Sequence, residues 1–229
     1  MFFTISLVKG NDNLKYCMPL YKTITVSPYT KVYIWKITES ETELSFNIEL
    51  TNNCQLRVNG MKSELHRRGF LSIRHLMGLA GYVDSDLFYD QAGKPHLKDG
   101  NHISITHSYQ FTGIIVSQKD EVGIDIEKQR DKISVIGHKF TPMEDYADIK
   151  NEKEIVKKLT IIWGAKESLY KIYATHGLSF INHIYIEDFI NTDNTTKGII
   201  RYDGCTSEYD IAFLEFEEFT CVYAIAKEE

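Results

Sequence analysis

Residues 121–127 of the chain have the sequence Glu-Val-Gly-Ile-Asp-Ile-Glu, with an apolar side chain at every second position. Successive side chains of a β-strand point to opposite faces of the sheet, so this spacing predicts a strand with one core face. The predicted core face consists of Val122, Ile124 and Ile126. The opposite face consists of Gly123, Asp125 and Glu127.

The polar face of this strand admits two interpretations. Neighbouring carboxylates repel one another unless a cation or a proton lies between them, so Asp125 and Glu127 together indicate a metal site. Gly123 beside them allows a ligand or another backbone to approach closely. The same pattern is typical of a half-exposed strand with a solvated acidic face. Residues 121–127 alone do not separate the two interpretations.

A second motif, Trp-Gly-Ala-Lys-Glu-Ser-Leu-Tyr-Lys at residues 163–171, lies in the clearest helix that the sequence predicts. Apolar residues at three- and four-residue spacing place that helix at 154–175, and Gly177 is expected to end it. Glu167 and Lys171 are four residues apart and therefore share a helix face. Such pairs are commonly surface ion pairs, but the large apolar residues that flank this one predict a partly covered turn.

A carboxylate and a lysine at the edge of a core suggest a third metal ligand beside a cation that binds phosphate. Three carboxylates and a phosphate suit Mg²⁺, a hard cation that takes oxygen ligands octahedrally. The candidate ligands are Asp125, Glu127 and Glu167, and the candidate phosphate-binding cation is Lys171.

Residues 103–108, Ile-Ser-Ile-Thr-His-Ser, predict another strand. In this strand Ser104 and Thr106 are expected to point outward, with His107 at the strand end. A lone histidine is more often structural than catalytic. Because His107 lies among three hydroxyl side chains, an anion-binding edge gains support.

Two weaker signals are basic. Gly93-Lys94-Pro95 predicts a stiff turn that presents one lysine. A helix predicted over 62–79 carries Arg67 and Arg74, which are two turns apart on one side, with Arg68 beside them. Such arginines are commonly only solvated, yet in a chain of net charge −6 a local cluster is a candidate for phosphate recognition.

The remaining elements indicate an α+β fold, because strands and helices mix without regular alternation. Residues 41–50 are ambiguous between strand and helix, and a possible capping box at 38–41 favours helix. Further strands are predicted at 31–36, 113–117, 184–186, 198–202, 211–216 and 221–226.

Composition excludes several classes of protein. The chain has 229 residues, enough for one large domain or two small ones, and a net charge of −6 argues against a nucleic-acid binder. Its start has no cationic leader, and no apolar run is long enough to span a bilayer, so a soluble cytoplasmic protein is expected. The cysteines show no metal or disulfide spacing and are expected to be small buried hydrophobes: Cys17, Cys54, Cys205 and Cys221.

Four motifs follow one another in an order that resembles the motif series of the 4′-phosphopantetheinyl transferases. They are Gly-Lys-Pro, Ile-Thr-His-Ser, Val-Gly-Ile-Asp-Ile-Glu and the motif at residues 163–171. Within that family, the chain is more similar to the larger, monomeric class, which includes the surfactin-synthetase activating enzyme. The motifs cover residues 93–171, roughly a third of the chain. The basic helix extends the resemblance upstream, and Phe140 and Pro142 between the last two motifs also fit.

The resemblance implies two similar α+β halves related by approximate two-fold symmetry, with the active site in the cleft between them. The halves are expected at 1–115 and 116–229, the first with the basic helix and the second with the acidic motifs.

The resemblance also assigns roles to residues. Asp125, Glu127 and Glu167 would hold Mg²⁺. Lys171 would contact the diphosphate of coenzyme A and neutralise or protonate the leaving phosphate, and Glu127, or a water that it orients, would be the base. The expected catalytic set is thus Glu127, Glu167 and Lys171. The expected contacts to coenzyme A are Arg67, Arg74, Lys94, Pro95, Thr106, His107, Asp125 and Lys171.

The implied reaction moves the 4′-phosphopantetheine arm of coenzyme A to a serine of an apo acyl or peptidyl carrier protein and releases adenosine 3′,5′-bisphosphate. A monomer without nucleic-acid or membrane partners is expected. The sequence departs from the family pattern at two positions. The family commonly has Asn where this chain has Ser104, and Ser where it has Thr106. The rival hypotheses are a Mg²⁺-dependent nucleotidyl transferase or phosphodiesterase, and a coenzyme A or carrier-binding module without catalysis.

Overall fold

A computed structural model describes residues 20–227 and has an α+β architecture. The strands are β1 (Leu20–Thr25), β2 (Thr30–Lys36), β3 (Leu87–Tyr89), β4 (Pro95–Leu97), β5 (His102–Ser108), β6 (Phe111–Ser117), β7 (Val122–Lys128), β8 (Ile184–Ile186), β9 (Thr195–Tyr202), β10 (Cys205–Phe216) and β11 (Phe219–Ala226). The α-helices are α1 (Glu41–Ser45), α2 (Asn52–Gly60), α3 (Glu64–Leu79), α4 (Lys132–Ile136), α5 (Glu152–Tyr173) and α6 (Phe180–His183).

The strands form two antiparallel sheets and a separate hairpin. One sheet has the order β1-β2-β6-β5 and the other the order β7-β11-β10-β9-β8, while β3 pairs with β4. The first sheet therefore ends at Ser117 and the second begins at Val122. The proposed division into halves at 115/116, and the two-fold relation between them, stay predictions.

Period-two alternation in the central strands produces the layers of the fold. In β2, Trp35 packs with α3, whereas Val32 and Ile34 pack with residues of β7 and β11. In β11, Val222 and Ala224 pack with α5. The two sheets thus face one another across a shared apolar cluster, with α3 and α5 on their outer sides. Burial of these apolar faces supplies most of the driving force for the arrangement.

The predicted helices and strands are present, with corrections at their ends. Residues 41–50 form a helix only as far as Ser45, and the capping box joins Ser40 to Glu43 instead of lying at 38–41. Helix α5 ends at Tyr173, before the expected Gly177, because Ala174 adopts the left-handed cap conformation with φ of 48°. Strands β1, β3 and β4 and helices α2, α4 and α6 were not predicted.

The cysteines differ in burial. Cys221 is buried as expected, Cys54 is half-buried, and Cys205 is exposed, which contradicts the expectation of burial. Cys17 lies outside the described residues. Within residues 20–227 no helix is both long and apolar enough to cross a bilayer.

Candidate active site

Strand β7 turns its polar face towards α5. Val122, Ile124 and Ile126 on the other face are at most 4 % exposed, which confirms the predicted alternation. A Cβ atom built on Gly123 would lie 2.0 Å from the carbonyl oxygen of Ser168. Only glycine therefore allows the strand and the helix to approach this closely.

Asp125 lies beneath α5 in contact with Lys171. Its side chain is 8 % exposed, so the interpretation as a solvated acidic face is wrong at this position. Lys171 Nζ donates to Asp125 Oδ1 at 2.8 Å and to the carbonyl oxygen of Ile124 at 2.7 Å. The lysine thus reaches from the helix to the strand, which argues against a routine surface pair with Glu167.

Thr106 holds the same carboxylate from the edge of the first sheet. Thr106 Oγ1 donates to Asp125 Oδ1 at 3.2 Å and accepts the amide N–H of Ile126 at 3.0 Å. Ser104 Oγ accepts the amide N–H of Ile124 at 3.2 Å. Both hydroxyl residues are buried, so the expectation that they point outward is wrong, because β7 covers this face of β5. Thr106 orients Asp125 here, and its contact with coenzyme A stays a prediction.

The three predicted carboxylates lie close enough to perturb one another. Burial raises the pKa of Glu127 to about 7, and Asp125 is the second cause. Burial, followed by Asp125, also raises the pKa of Glu167. Lys171 opposes both shifts. The carboxylates are therefore held together in a space too dry and too negative for all three to ionise readily.

This donor set fits a hard cation. Asp125 Oδ2 is buried and has no hydrogen-bond partner, an unfavourable state unless a cation or water meets it. Among residues 20–227, no three His, Cys, Asp or Glu side chains form a ready-made metal cage. Mg²⁺ commonly binds one or two carboxylates together with waters and substrate phosphates, so it requires no such cage. The residues that would hold it are Asp125, Glu127 and Glu167.

His107 lies beside a second histidine from α3. The ring centroids of His66 and His107 are 5.6 Å apart in an edge-to-face arrangement. Burial lowers the pKa of His107, and the nearby His66 and Lys171 lower it further, so its neutral form is favoured. His66 was not singled out from the sequence, and its position next to the basic residue Arg67 was the available signal.

A cavity of about 570 Å³ lies between the β3–β4 turn and the C-terminal end of α5. Its apolar walls include Tyr89, Pro95, Ile103, Ile105, Tyr170 and Ala174, and its polar groups include Lys94, Lys171 and His176. The structure thus brings Pro95 and Lys94 to the same cavity as Lys171. The ammonium of Lys94 is bonded to the end of α5, at 2.6 Å from the carbonyl oxygen of Ile172.

The two arginines expected to share a phosphate-binding face have different surroundings. Arg67 is half-buried, with Nε 2.8 Å from Glu41 Oε2. Arg74 is 7 % exposed, and its Nε lies 2.8 Å from Asp84 Oδ1 in a buried ion pair. The structure therefore does not give Arg74 a solvent-facing phosphate site. The physical reason is Asp84, ten residues further along the chain, which the sequence had not singled out.

A protein-family model matches the part of the chain that carries the three carboxylates. Residues 121–224, from the start of β7 to β11 and including α5, match the family model of the 4′-phosphopantetheinyl transferase superfamily. No curated protein matches the chain significantly. The segment that holds Asp125, Glu127, Glu167 and Lys171 is therefore similar to the 4′-phosphopantetheinyl transferase superfamily.

Proposed function

We propose that this chain transfers the 4′-phosphopantetheine arm of coenzyme A to a serine of an apo acyl or peptidyl carrier protein, in a Mg²⁺-dependent reaction that releases adenosine 3′,5′-bisphosphate. The observation that carries the proposal is the contact between Lys171 and Asp125 beneath α5, close enough to Glu127 and Glu167 for their charges to interact. Carboxylates and one lysine in a partly dry site suit the transfer of a phosphoryl-type group.

In this reaction the serine oxygen forms a bond to the phosphorus that carries pantetheine. The bond from that phosphorus to the bridging oxygen of the diphosphate breaks, and the leaving phosphate departs with its electron pair. Bound Mg²⁺ would neutralise charge on the diphosphate oxygens. Glu127, or a water that it holds, would take the serine proton, and such general-base assistance contributes about 10²–10⁴-fold to rate. The Lys171 ammonium would stabilise the negative charge of the leaving phosphate.

For coenzyme A we propose the cavity between the β3–β4 turn and α5, with the diphosphate at the Lys171 end. Pro95 lines that cavity, and His107, which follows the Thr106 that bonds Asp125, is a candidate contact at the same end. Arg67 follows His66, whose ring contacts that of His107, and it stays a candidate for a phosphate contact. The acceptor would be a carrier domain that presents its serine at the carboxylates, and the enzyme would act as a cytoplasmic monomer.

Intact-protein mass spectrometry of an apo acyl carrier protein, incubated with this chain, coenzyme A and Mg²⁺, tests the proposal. We expect a gain of one phosphopantetheine, abolished by a chelator and by Asp125→Ala. Lys98→Met, a change of an exposed lysine outside the site, is the control and should retain transfer.

The binding-module hypothesis makes a different prediction for the same samples. If calorimetry detects coenzyme A binding without Mg²⁺ but no carrier of several types gains mass, the chain binds coenzyme A and does not transfer from it. That outcome would refute the transferase proposal.

A further inference from the structure

Lys94 makes a long-range contact that the proposed reaction does not use. Its ammonium donates to the carbonyl oxygen of Ile172 at 2.6 Å, between residues 78 positions apart. Glu121 Oε1 is 3.4 Å away, but the Glu121 side chain is 51 % exposed, whereas that of Lys94 is 21 % exposed. The main interaction of Lys94 therefore joins the β3–β4 turn to the last turn of α5.

The backbone that presents Lys94 is held firmly. The amide N–H of Lys94 donates to Asp90 Oδ1 at 2.9 Å, and its carbonyl oxygen accepts the amide N–H of Asp90 at 3.1 Å. Gly93 supplies the left-handed φ of 85° that the turn needs, and Pro95 restricts the next φ. Lys94 thus extends from a fixed point on the first half of the chain.

The end of α5 needs such a partner. The last carbonyl groups of a helix have no hydrogen-bond donor within the helix, and a cation is favourable at this end. The amide N–H of Ala174 satisfies the carbonyl oxygen of Tyr170 at 2.8 Å. Lys94 satisfies that of Ile172. The turn and the cap together fasten the last turn of α5.

Lys171 is the residue immediately before this fastened carbonyl. Its ammonium lies 2.8 Å from Asp125 Oδ1, so a small rotation of the last turn would withdraw it from the carboxylate. Resting on the proposed transferase function, we propose that Lys94 is a positioning residue, which clamps the end of α5 so that Lys171 reaches Asp125, and that it does not itself contact a phosphate.

Steady-state kinetics separate positioning from phosphate contact. We expect Lys94→Met to lower kcat about tenfold and to change KM for coenzyme A less than about twofold, because the loss falls on Lys171 in the transition state. Lys94→Arg should retain most of kcat, since a guanidinium can donate to the same carbonyl oxygen. A rise in KM of about tenfold with kcat unchanged would show a direct phosphate contact and overturn the proposal.

A double-mutant cycle distinguishes action through Lys171 from a general structural role. If Lys94 acts through Lys171, adding Lys94→Met to Lys171→Met should change the residual kcat less than about twofold. Equal fold-losses in both backgrounds would contradict the proposal. Glu121→Gln leaves the contact with Ile172 in place and should not reproduce the kcat loss.

Hydrogen exchange tests the clamp independently of activity. The peptide 168–178 should exchange its amide hydrogens faster in Lys94→Met than in the wild type, and Lys98→Met, at an exposed position just after β4, should leave it unchanged. Unchanged exchange in a folded Lys94→Met would refute the clamp. If the wild type transfers no phosphopantetheine, the proposed function fails while this measurement still tests the clamp. Should Lys94→Met not fold, the shorter Lys94→Gln carries the same expectations.

Discussion

Gly123→Ala is the substitution for which the structure predicts the largest effect from the smallest change. The added Cβ would lie 2.0 Å from the carbonyl oxygen of Ser168 and 2.7 Å from its carbonyl carbon. Ordinary contacts begin at 3.4 Å, so β7 and α5 must separate by about 1.4 Å. Backbone atoms on both sides leave no flexible side chain to give way.

We expect Gly123→Ala to lower the free energy of unfolding by about 3 kcal/mol, at the upper end for overpacked cores. Since the same separation moves Asp125 away from Lys171, transfer should fall about 100-fold in any folded fraction. Urea unfolding followed by tryptophan fluorescence measures the first quantity, and the carrier mass assay measures the second.

Gly78→Ala is the matched control. Gly78 lies in α3 and is exposed, and a Cβ there would meet nothing within 4 Å. Alanine in a helix is favoured over glycine, so this variant should gain roughly 0.5–1 kcal/mol and retain activity. Wild-type stability and activity in Gly123→Ala would refute the inferred contact between β7 and α5.

Three other outcomes follow from the structure. Arg74→Met should destabilise the protein by about 3–5 kcal/mol in urea unfolding because it leaves the Asp84 carboxylate buried and unpaired; a loss below about 1 kcal/mol would contradict this. Burial lowers the pKa of Lys166 to about 8, so above pH 8 the unfolded chain binds more protons than the folded protein and the free energy of unfolding should rise with pH. Between pH 8 and 9.5 we expect a rise of about 1.5 kcal/mol relative to Lys166→Met, measured by urea unfolding. A difference between the two proteins that does not change with pH would contradict this. Mg²⁺ at ten times its Kd should raise Tm by about 3–6 °C in the wild type and much less in Glu127→Gln or Glu167→Gln, and equal shifts in all three would argue against a carboxylate site.

Much of the candidate site could be predicted because its signals are local. The alternation at 121–127 requires only the geometry of a strand, and it correctly separated the buried apolar face from the face of Asp125. The spacing of Glu167 and Lys171 requires only the geometry of a helix. The prediction misplaced the capping box of α1 and the end of α5 by a few residues. At both places several neighbouring residues could have filled the role.

The basic residues could not be assigned in this way, because a lysine or arginine finds its partner through the tertiary fold. Arg74 and Asp84 are brought together by the packing of α3, and the outward hydroxyls expected on β5 are covered by β7. Lys94 is hydrogen-bonded to the end of α5, a contact that the sequence did not indicate, and its contact with coenzyme A stays a prediction.

The sequence by itself determined the α+β class and the core face of β7, since these depend on residue type and periodicity, and the order of its motifs carried the family resemblance. Only the tertiary structure decided that Lys171 pairs with Asp125, that Thr106 orients the same carboxylate, and that Asp125 Oδ2 stays without a partner. Those contacts arise where β5, β7 and α5 meet. The pairing of surfaces from distant segments depends on side-chain packing in three dimensions, which no periodicity in one segment records.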